Sequence, residues 1–289
     1  MKKPRTLPLG VDVGEERTRV ALVERDASGC PRLVAVAARP TGDDPARAIG
    51  AACAELRTAE RRCVLAIGAP DALLRTAAFP ALRGRERARA ARFEAARFVP
   101  YPLHEADVRV AVAGPGRCVL GIARRAAVDD RVAIARRAGL RPIAVDDVAF
   151  ALLRAFPYAG AVLDVGVGSA RLVFAGDPVP SVQVLNGGGR AFSAAVVASL
   201  GIDEAAAEQR KRTVGLGGAG EYVRDALVEQ LASALIEHRA GARTELRTIA
   251  VAGNGARLAG FAEAVERAVA IPVRLGALPD GVCDALPAD

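Results

Sequence analysis

Short apolar runs, divided by glycine and proline, alternate between strand and helix periods along this chain. Residues 7–13 and 18–24 predict two strands joined by a tight turn, and 33–38 a third strand. Asp43-Asp44 before Pro45 marks a helix start, an acidic cap with proline in the first turn. That helix is expected to run to about Arg61. Residues 63–67 read as a buried strand ending at Gly68-Ala69-Pro70. Residues 84–98 predict a helix with one apolar face: Ala88, Ala91, Ala95 and Phe98 recur at three- and four-residue steps, and arginines cover the rest. Val108, Val110 and Val112 alternate over 106–113 as a half-buried strand does. A strand at 118–123, a helix at 127–138 closed by Gly139, a strand at 141–145 and a helix at 147–156 complete the first half. The second half predicts strands at 161–163, 171–174 and 182–185, then helices at 190–200, 204–212 and 221–238. A strand at 248–252, a helix at 257–269 and a strand at 271–275 follow, so the fold class is α/β.

One stretch organises the rest. AVLDVGVGSARLVFA, residues 161–175, carries Asp164 where a strand ends, then Gly166, Gly168 and Ser169 in a turn. Such a turn lets backbone N–H groups approach an anion, because no side chain blocks them. Asp164 is placed to hold Mg²⁺ through water. The same residues also suit a hairpin whose Asp and Gly only make the bend. Residues 10–23, GVDVGEERTRVALV, align with 162–175 without a gap: Asp12 falls on Asp164, Gly14 on Gly166, Arg19 on Arg171. This internal repeat gives each half one such hairpin. It resembles the actin-like fold, which grips the phosphates of ATP between two hairpins. The expectation is a duplicated actin-like (ribonuclease H-like) fold, two lobes around a nucleotide cleft. Residues 1–157 would be the first lobe, with a small α/β insertion at about 82–145, and 158–289 the second.

Composition narrows the class. The chain has 289 residues, 52% hydrophobic and 25% charged, enough for two globular bodies. The net charge of +7 is carried almost wholly by arginine, with lysine only at 2, 3 and 211. Such a surface favours anionic partners; an arginine-rich genome would produce it equally well. No arginine-plus-aromatic platform suggests base stacking, so no nucleic-acid partner is expected. Cys30, Cys53, Cys63, Cys118 and Cys283 are scattered, and His104 and His238 stand alone, which predicts reduced thiols and no metal cluster. The longest apolar runs are about half a membrane span and the N-terminus lacks a signal-peptide core, so a soluble protein is expected. Asn186-Gly187-Gly188-Gly189 precedes a helix, which suits a phosphate or a plain turn and helix start. Gly215-Leu216-Gly217-Gly218-Ala219-Gly220 matches a dinucleotide fingerprint by letters, but no adequate strand precedes it and it reads as a loop between helices.

Motifs along nearly the whole length resemble the PilM family, actin-like cytoplasmic proteins of type IV pilus assembly, with FtsA-like proteins more distant. They are the opening LGVDVG, Glu94-Ala95 followed by Pro100, Val145-Asp146, LDVG at 163–166, Gly187-Gly188, Ala207-Glu208-Gln209-Arg210-Lys211, and VAGNGARLAGF at 251–261. The resemblance implies ATP and Mg²⁺ as ligands. Asp12, Gly14 and Arg19 would form the first phosphate loop, and Asp164, Gly166, Gly168 and Ser169 the second, with Gly187 and Gly188 beside it. Glu208 and Lys211 would flank the nucleoside, though alone they suit a solvated helix face. Gly253, Gly255 and Ala256 would approach the adenine. Asp164, Asp12 and Asp146 would lie on the metal side. The implied partner is the cytoplasmic N-terminal tail of a PilN-like membrane protein, held in a groove beside the insertion. Other pilus assembly proteins, self-association and a place on the inner face of the inner membrane are implied as well.

Three departures bear on the chemistry. Glu15 and Glu16 follow Gly14, and a carboxylate about 5 Å from a phosphate charge costs roughly 3 kcal/mol at an effective dielectric of 20. Arg19 stands where relatives carry lysine, keeping the charge but not the point-charge geometry. Residues 278–289 have no helical periodicity where relatives end in a helix. No catalytic base stands out, so at most a slow ATPase is expected. The rival readings are an actin-fold small-molecule kinase, an FtsA-like polymer former and the cytoplasmic part of a type II secretion protein.

Overall fold

The computed structural model describes residues 5–27, 29–79, 82–241 and 246–276. The expected tail at 278–289 lies outside them. Contacts divide the chain into two units, the first reaching Ala151 and including Asp177–Val179, the second comprising Leu152–Gly176 and the residues from Pro180 on.

The first unit holds β1 (Arg5–Thr6), β2 (Leu9–Val13), β3 (Arg17–Arg25), β4 (Pro31–Pro40), α1 (Pro45–Glu55), β5 (Arg62–Ile67), β6 (Ala72–Ala78), α2 (Gly84–Ala95), β7 (Ala106–Gly114), β8 (Arg117–Arg124), α3 (Arg125–Arg137) and β9 (Arg141–Asp147). Its main sheet runs β4-β3-β2-β5-β9, with β1 also paired to β3. β4, β3 and β2 are antiparallel neighbours; β5 and β9 join in parallel. Leu9, Ile49, Leu65 and Ala135 are fully or almost fully buried in its core. α4 (Val148–Ala155) leads out of β9.

The second unit holds β10 (Ala161–Val165), β11 (Ser169–Phe174), β12 (Ser181–Asn186), α5 (Gly189–Leu200), α6 (Glu204–Val214), α7 (Glu221–Gly241), β13 (Ile249–Ala252), α8 (Phe261–Val269) and β14 (Val273–Leu275). The sheet order is β12-β11-β10-β13-β14, with the same directions in the same places as the first unit. The duplication seen in the letters is therefore a duplication of topology. Leu163 and Val165 face a core with Phe174, Phe192, Leu231 and Phe261, while Val162 faces Phe156 and Ala250. Burial on both faces explains why Ala161, Val162 and Leu163 read as an apolar run without alternation ahead of Asp164.

Local differences from the sequence reading have identifiable causes. α1 ends at Glu55 rather than near Arg61, because Arg57 takes a left-handed φ of 47° after the Leu56 cap. The helix expected at 257–269 is split: a 3₁₀ turn at Asn254–Arg257 precedes α8, and Gly260 with φ +76° redirects the chain between them. The inserted sheet, β6-β8-β7, begins at Ala72 and ends at Arg124, not at about 82 and 145. α3 and β9 belong to the main body, because Ile134, Ala135 and Leu140 pack into its core and β9 pairs with β5. In the insertion, α2 lays Ala91 and Ala95 against Leu120 and Ile122.

Candidate functional site

The two hairpins share one construction. Asp12 pairs with Arg19 across β2 and β3, and Asp164 with Arg171 across β10 and β11, in identical register. The Gly14 N–H donates to Arg17 O at 3.1 Å, and the Gly166 N–H to Ser169 O at 3.0 Å. A Cβ on Gly14 would lie 2.8 Å from Arg17 O, and on Gly166 3.1 Å from Ser169 O, so the closeness of each bend selects glycine. In each hairpin the arginine faces the aspartate: Arg19 is 3.6 Å from Asp12, Arg171 3.3 Å from Asp164. Asp12 is 52% exposed and Asp164 only 18%, so the second pair is screened far less by solvent.

In the first unit, Asp12 and Asp146 fall in one row of the same sheet, one residue beyond Val11 and Val145. Val11 is level with Leu65 and Val145, and Ala66 is level with Asp146. The two carboxylates thus stand on either side of β5, two strand spacings or about 10 Å apart. Asp146 Oδ1 accepts the Asp147 N–H at 3.0 Å, and Asp147 Oδ1 accepts the Ala149 N–H at 2.8 Å at the start of α4. Among the described residues no three His, Cys, Asp or Glu side chains meet as a ligand set.

In the second unit, two glycine-bearing segments close on the Asp164 hairpin. The Gly189 N–H donates to Gly166 O and the Arg190 N–H to Val167 O, both at 2.9 Å. Two of the first N–H groups of α5, the ones a phosphate would use, are therefore taken by the hairpin. A Cβ on Gly188 would lie 2.7 Å from both Gly166 O and Val167 O. Gly187 turns the chain with φ +107°. From the other side Gly253, at φ +84°, approaches so closely that a Cβ would be 2.8 Å from Asp164 Oδ1 and closer still to Val165 O. Gly255 is crowded by the Val165 side chain in the same way, and Ala256 is buried. Gly168 and Ser169 complete the bend that begins β11.

Glu208 and Lys211, one turn apart on α6, bind each other and the start of α5. Lys211 Nζ lies 2.5 Å from Glu208 Oε2 and donates to Ser193 Oγ at 2.8 Å and Gly189 O at 3.0 Å. An ammonium has three N–H bonds, and here each has an acceptor. The Ser193 hydroxyl donates to Glu208 Oε2 at 2.7 Å, and Arg212 Nε to Glu208 Oε1 at 3.0 Å. Burial opposes ionisation of Glu208, yet hydrogen bonds from Lys211, Ser193 and Arg212 outweigh it and hold its carboxyl at about 2.

The family model for type IV pilus assembly protein PilM matches residues 41–279. The chain belongs to that family. Among solved structures it is 27% identical to a chain of a PilM–PilN type IV pilus biogenesis complex, with a TM-score of 0.78 over 93% of this chain and 88% of that one. Two others share the fold. The ethanolamine utilization protein EutJ from Carboxydothermus hydrogenoformans is 18% identical with a TM-score of 0.59, covering 96% of this chain and 89% of that one. The cytoplasmic domain of EpsL, an inner membrane component of the type II secretion system of Vibrio cholerae, is 10% identical with a TM-score of 0.52, covering 92% and 84%. A search of curated protein sequences returns no significant match. The fold of this PilM-family chain is the actin-like one. No described helix is long and apolar enough to cross a membrane.

Of the residues expected at a ligand site, the structure gathers Asp164, Gly166, Gly188, Glu208, Lys211, Gly253 and Gly255 into one packed assembly of the second unit. Asp12, Gly14, Arg19 and Asp146 belong to the first unit and are built into its sheet. Two residues of this PilM-family site escaped sequence reasoning. Ser193 bridges Lys211 and Glu208, and Thr41 donates its hydroxyl to Gly14 O at 2.8 Å and its N–H to Glu16 O at 2.8 Å. Thr18 and Thr41 lie with their hydroxyls 3.1 Å apart in the core. A hydroxyl two strands from a turn leaves no local signal; both are common residues with no neighbouring motif.

Proposed function

We propose that this chain is an actin-like scaffold of the type IV pilus inner-membrane assembly, working on the cytoplasmic side and holding the N-terminal tail of a PilN-like membrane protein. The observation that carries this reading is the likeness, over nearly the whole of both chains, to a protein solved in complex with PilN. A tail of that kind binds extended, through main-chain hydrogen bonds and a few apolar pockets. The test is a titration of the purified chain with a fluorescent peptide spanning the cytoplasmic N-terminus of the PilN-like protein from the same source. Saturable one-to-one binding is expected, with a scrambled peptide inert. Absence of saturation at high peptide concentration refutes the reading.

The second part of the proposal concerns ATP and Mg²⁺. The residues present do not fit a ready nucleotide site. Asp12 and Asp164 each have an arginine as counter-charge, two α5 amides already donate, and Lys211 has an acceptor for every N–H. Gly188 and Gly253 lie where backbone approaches backbone, and Gly255 where the Val165 side chain leaves no room for a Cβ. We therefore read the nucleotide site as degenerate and the scaffold as independent of turnover. Calorimetry with ATP and Mg²⁺, repeated on Asp164→Ala, is expected to show no difference between the two proteins. Micromolar binding that Asp164→Ala abolishes overturns this part and leaves the scaffold standing.

A further inference from the structure

The strongest charge concentration in the molecule lies in the inserted subdomain. Residues 83–98 hold six arginines and two glutamates, a net of +4 within the chain's +7. α2 supplies four of the six arginines, and its packing decides where the charge goes. Ala91 and Ala95 are buried against the three-stranded sheet. Arg85, Arg89 and Arg92, at positions i, i+4 and i+7, therefore share the opposite face, and all three are exposed. Arg97, just past the helix end, is exposed too. The acidic residues do not cancel this face. Glu94 is bound by Arg97 at 2.7 Å, and Glu86 lies in the first turn, where a carboxylate answers the helix dipole. Arg92 is braced by one bond to Leu103 O at 2.6 Å, which leaves its other donors directed outward.

Beside these arginines stands Phe93, 78% exposed, the most exposed large hydrophobic side chain among the described residues. A cationic helix face with one projecting aromatic ring has the chemistry of a peripheral membrane contact: guanidinium groups meet phosphate oxygens while the ring enters the boundary of the acyl layer. Nucleic acid would satisfy the arginines but gives an isolated phenyl ring on a convex helix no stack. An acidic protein would need an apolar recess for it.

We infer that the exposed face of α2 docks on an anionic phospholipid bilayer through Arg85, Arg89, Arg92 and Phe93. The inference rests on the membrane-side location proposed above, and it names the surface that makes the contact. It makes that contact direct, in addition to any tether through a membrane-anchored partner.

The test uses the full chain and vesicles of phosphatidylglycerol with phosphatidylethanolamine, against vesicles of phosphatidylcholine, in a sedimentation assay without peptide. Binding is expected only to the anionic vesicles and is expected to weaken with salt. Each arginine near an anionic surface is worth about fivefold in partitioning, so R85E/R89E/R92E should lower it by about 100-fold or more. The control R136E/R239E/R267E changes net charge equally at exposed positions elsewhere and should lower it far less. F93S should weaken binding several-fold while leaving the salt dependence unchanged. Circular dichroism and an unchanged melting temperature establish that each variant is folded. Equal loss in the two triple variants, no binding by the unaltered chain, or stronger capture by duplex DNA than by vesicles each overturn the inference. Vesicle binding without peptide binding would leave it intact and refute the scaffold reading instead.

Discussion

Gly253→Ala tests whether the glycines around the Asp164 hairpin serve the fold or a ligand. At φ +84° and ψ 162°, a region essentially confined to glycine, an alanine pays at least about 1 kcal/mol. Its Cβ would also lie 2.8 Å from Asp164 Oδ1 and 2.8 Å from the Val165 carbonyl carbon, and nearer still to the carbonyl oxygen. Two of those atoms are backbone in the central strand β10, which is paired on both sides and cannot move aside alone. Overpacking against such a neighbour costs about 2 kcal/mol more. The sum, about 3 kcal/mol, corresponds to a fall in melting temperature of about 9 °C in a body of this size. Gly218 supplies the control, because it has the same φ of +84° and nothing within 4 Å of its would-be Cβ. Gly218→Ala should lose only the conformational part, about 3 °C.

Differential scanning fluorimetry of the two variants without added nucleotide measures the difference directly. Equal shifts in Gly253→Ala and Gly218→Ala would mean that the close approach to β10 carries no energy. An unchanged melting temperature for Gly253→Ala would mean that the glycine is kept for something outside the fold, and the case for a degenerate site would fail with it.

The remaining predictions test other parts of the same assembly. Glu208 has a folded pKa of about 2 against an ordinary 4.5, so its network stabilises the fold above pH 4.5, and that contribution is lost as pH falls toward 2. Thermal melts of Glu208→Gln from pH 7 to pH 3 should show a shallower acid decline than the unaltered chain; parallel curves refute the assignment. Thr41→Val removes the hydroxyl donor to Gly14 O inside the first unit. It should cost about 2 kcal/mol, read as a drop of about 6 °C in melting temperature, and no change would show that the Gly14 bend does not depend on it.

The sequence was most informative where backbone geometry dictates residue type. Asp12 and Asp164, Gly14 and Gly166, Arg19 and Arg171 could be superposed as letters, and each pair occupies the same register position. It was least informative where a strand carries no pattern. β6, ALLRTAA, lacks alternation and has several exposed side chains, so the inserted sheet could be read only as two strands and a helix. For Glu208 and Lys211 the three-residue spacing showed that they share a helix face. It could not show that Ser193, fifteen residues upstream of Glu208, stands between α5 and α6 and turns that face inward. The roles expected for Glu208, Lys211, Gly253 and Gly255 came from resemblance, and a motif records which residues recur, not which of their atoms are already engaged.

The two hairpins also show how duplicated halves keep a requirement while changing the means. In both, the carbonyl of the bend glycine needs a donor from the segment that follows the third strand. In the second unit the segment after β12 brings a backbone amide: Gly187 and Gly188 let α5 begin close enough for the Gly189 N–H to reach Gly166 O. In the first unit the segment after β4 carries no glycine pair, and Thr41 reaches Gly14 O with its hydroxyl instead. The side chain spans the distance, so α1 can start later, at Pro45 behind the Asp44 cap. An amide donor needs close backbone approach, which excludes every residue but glycine at position 188. A hydroxyl donor needs only a buried threonine, which Thr18 keeps from water. Because threonine does not align with glycine, the equivalence is invisible in the letters and appears only when each carbonyl is asked what donates to it. Asp164 is hidden from the other side, where Gly253 approaches its carboxylate, while Asp12 is half open.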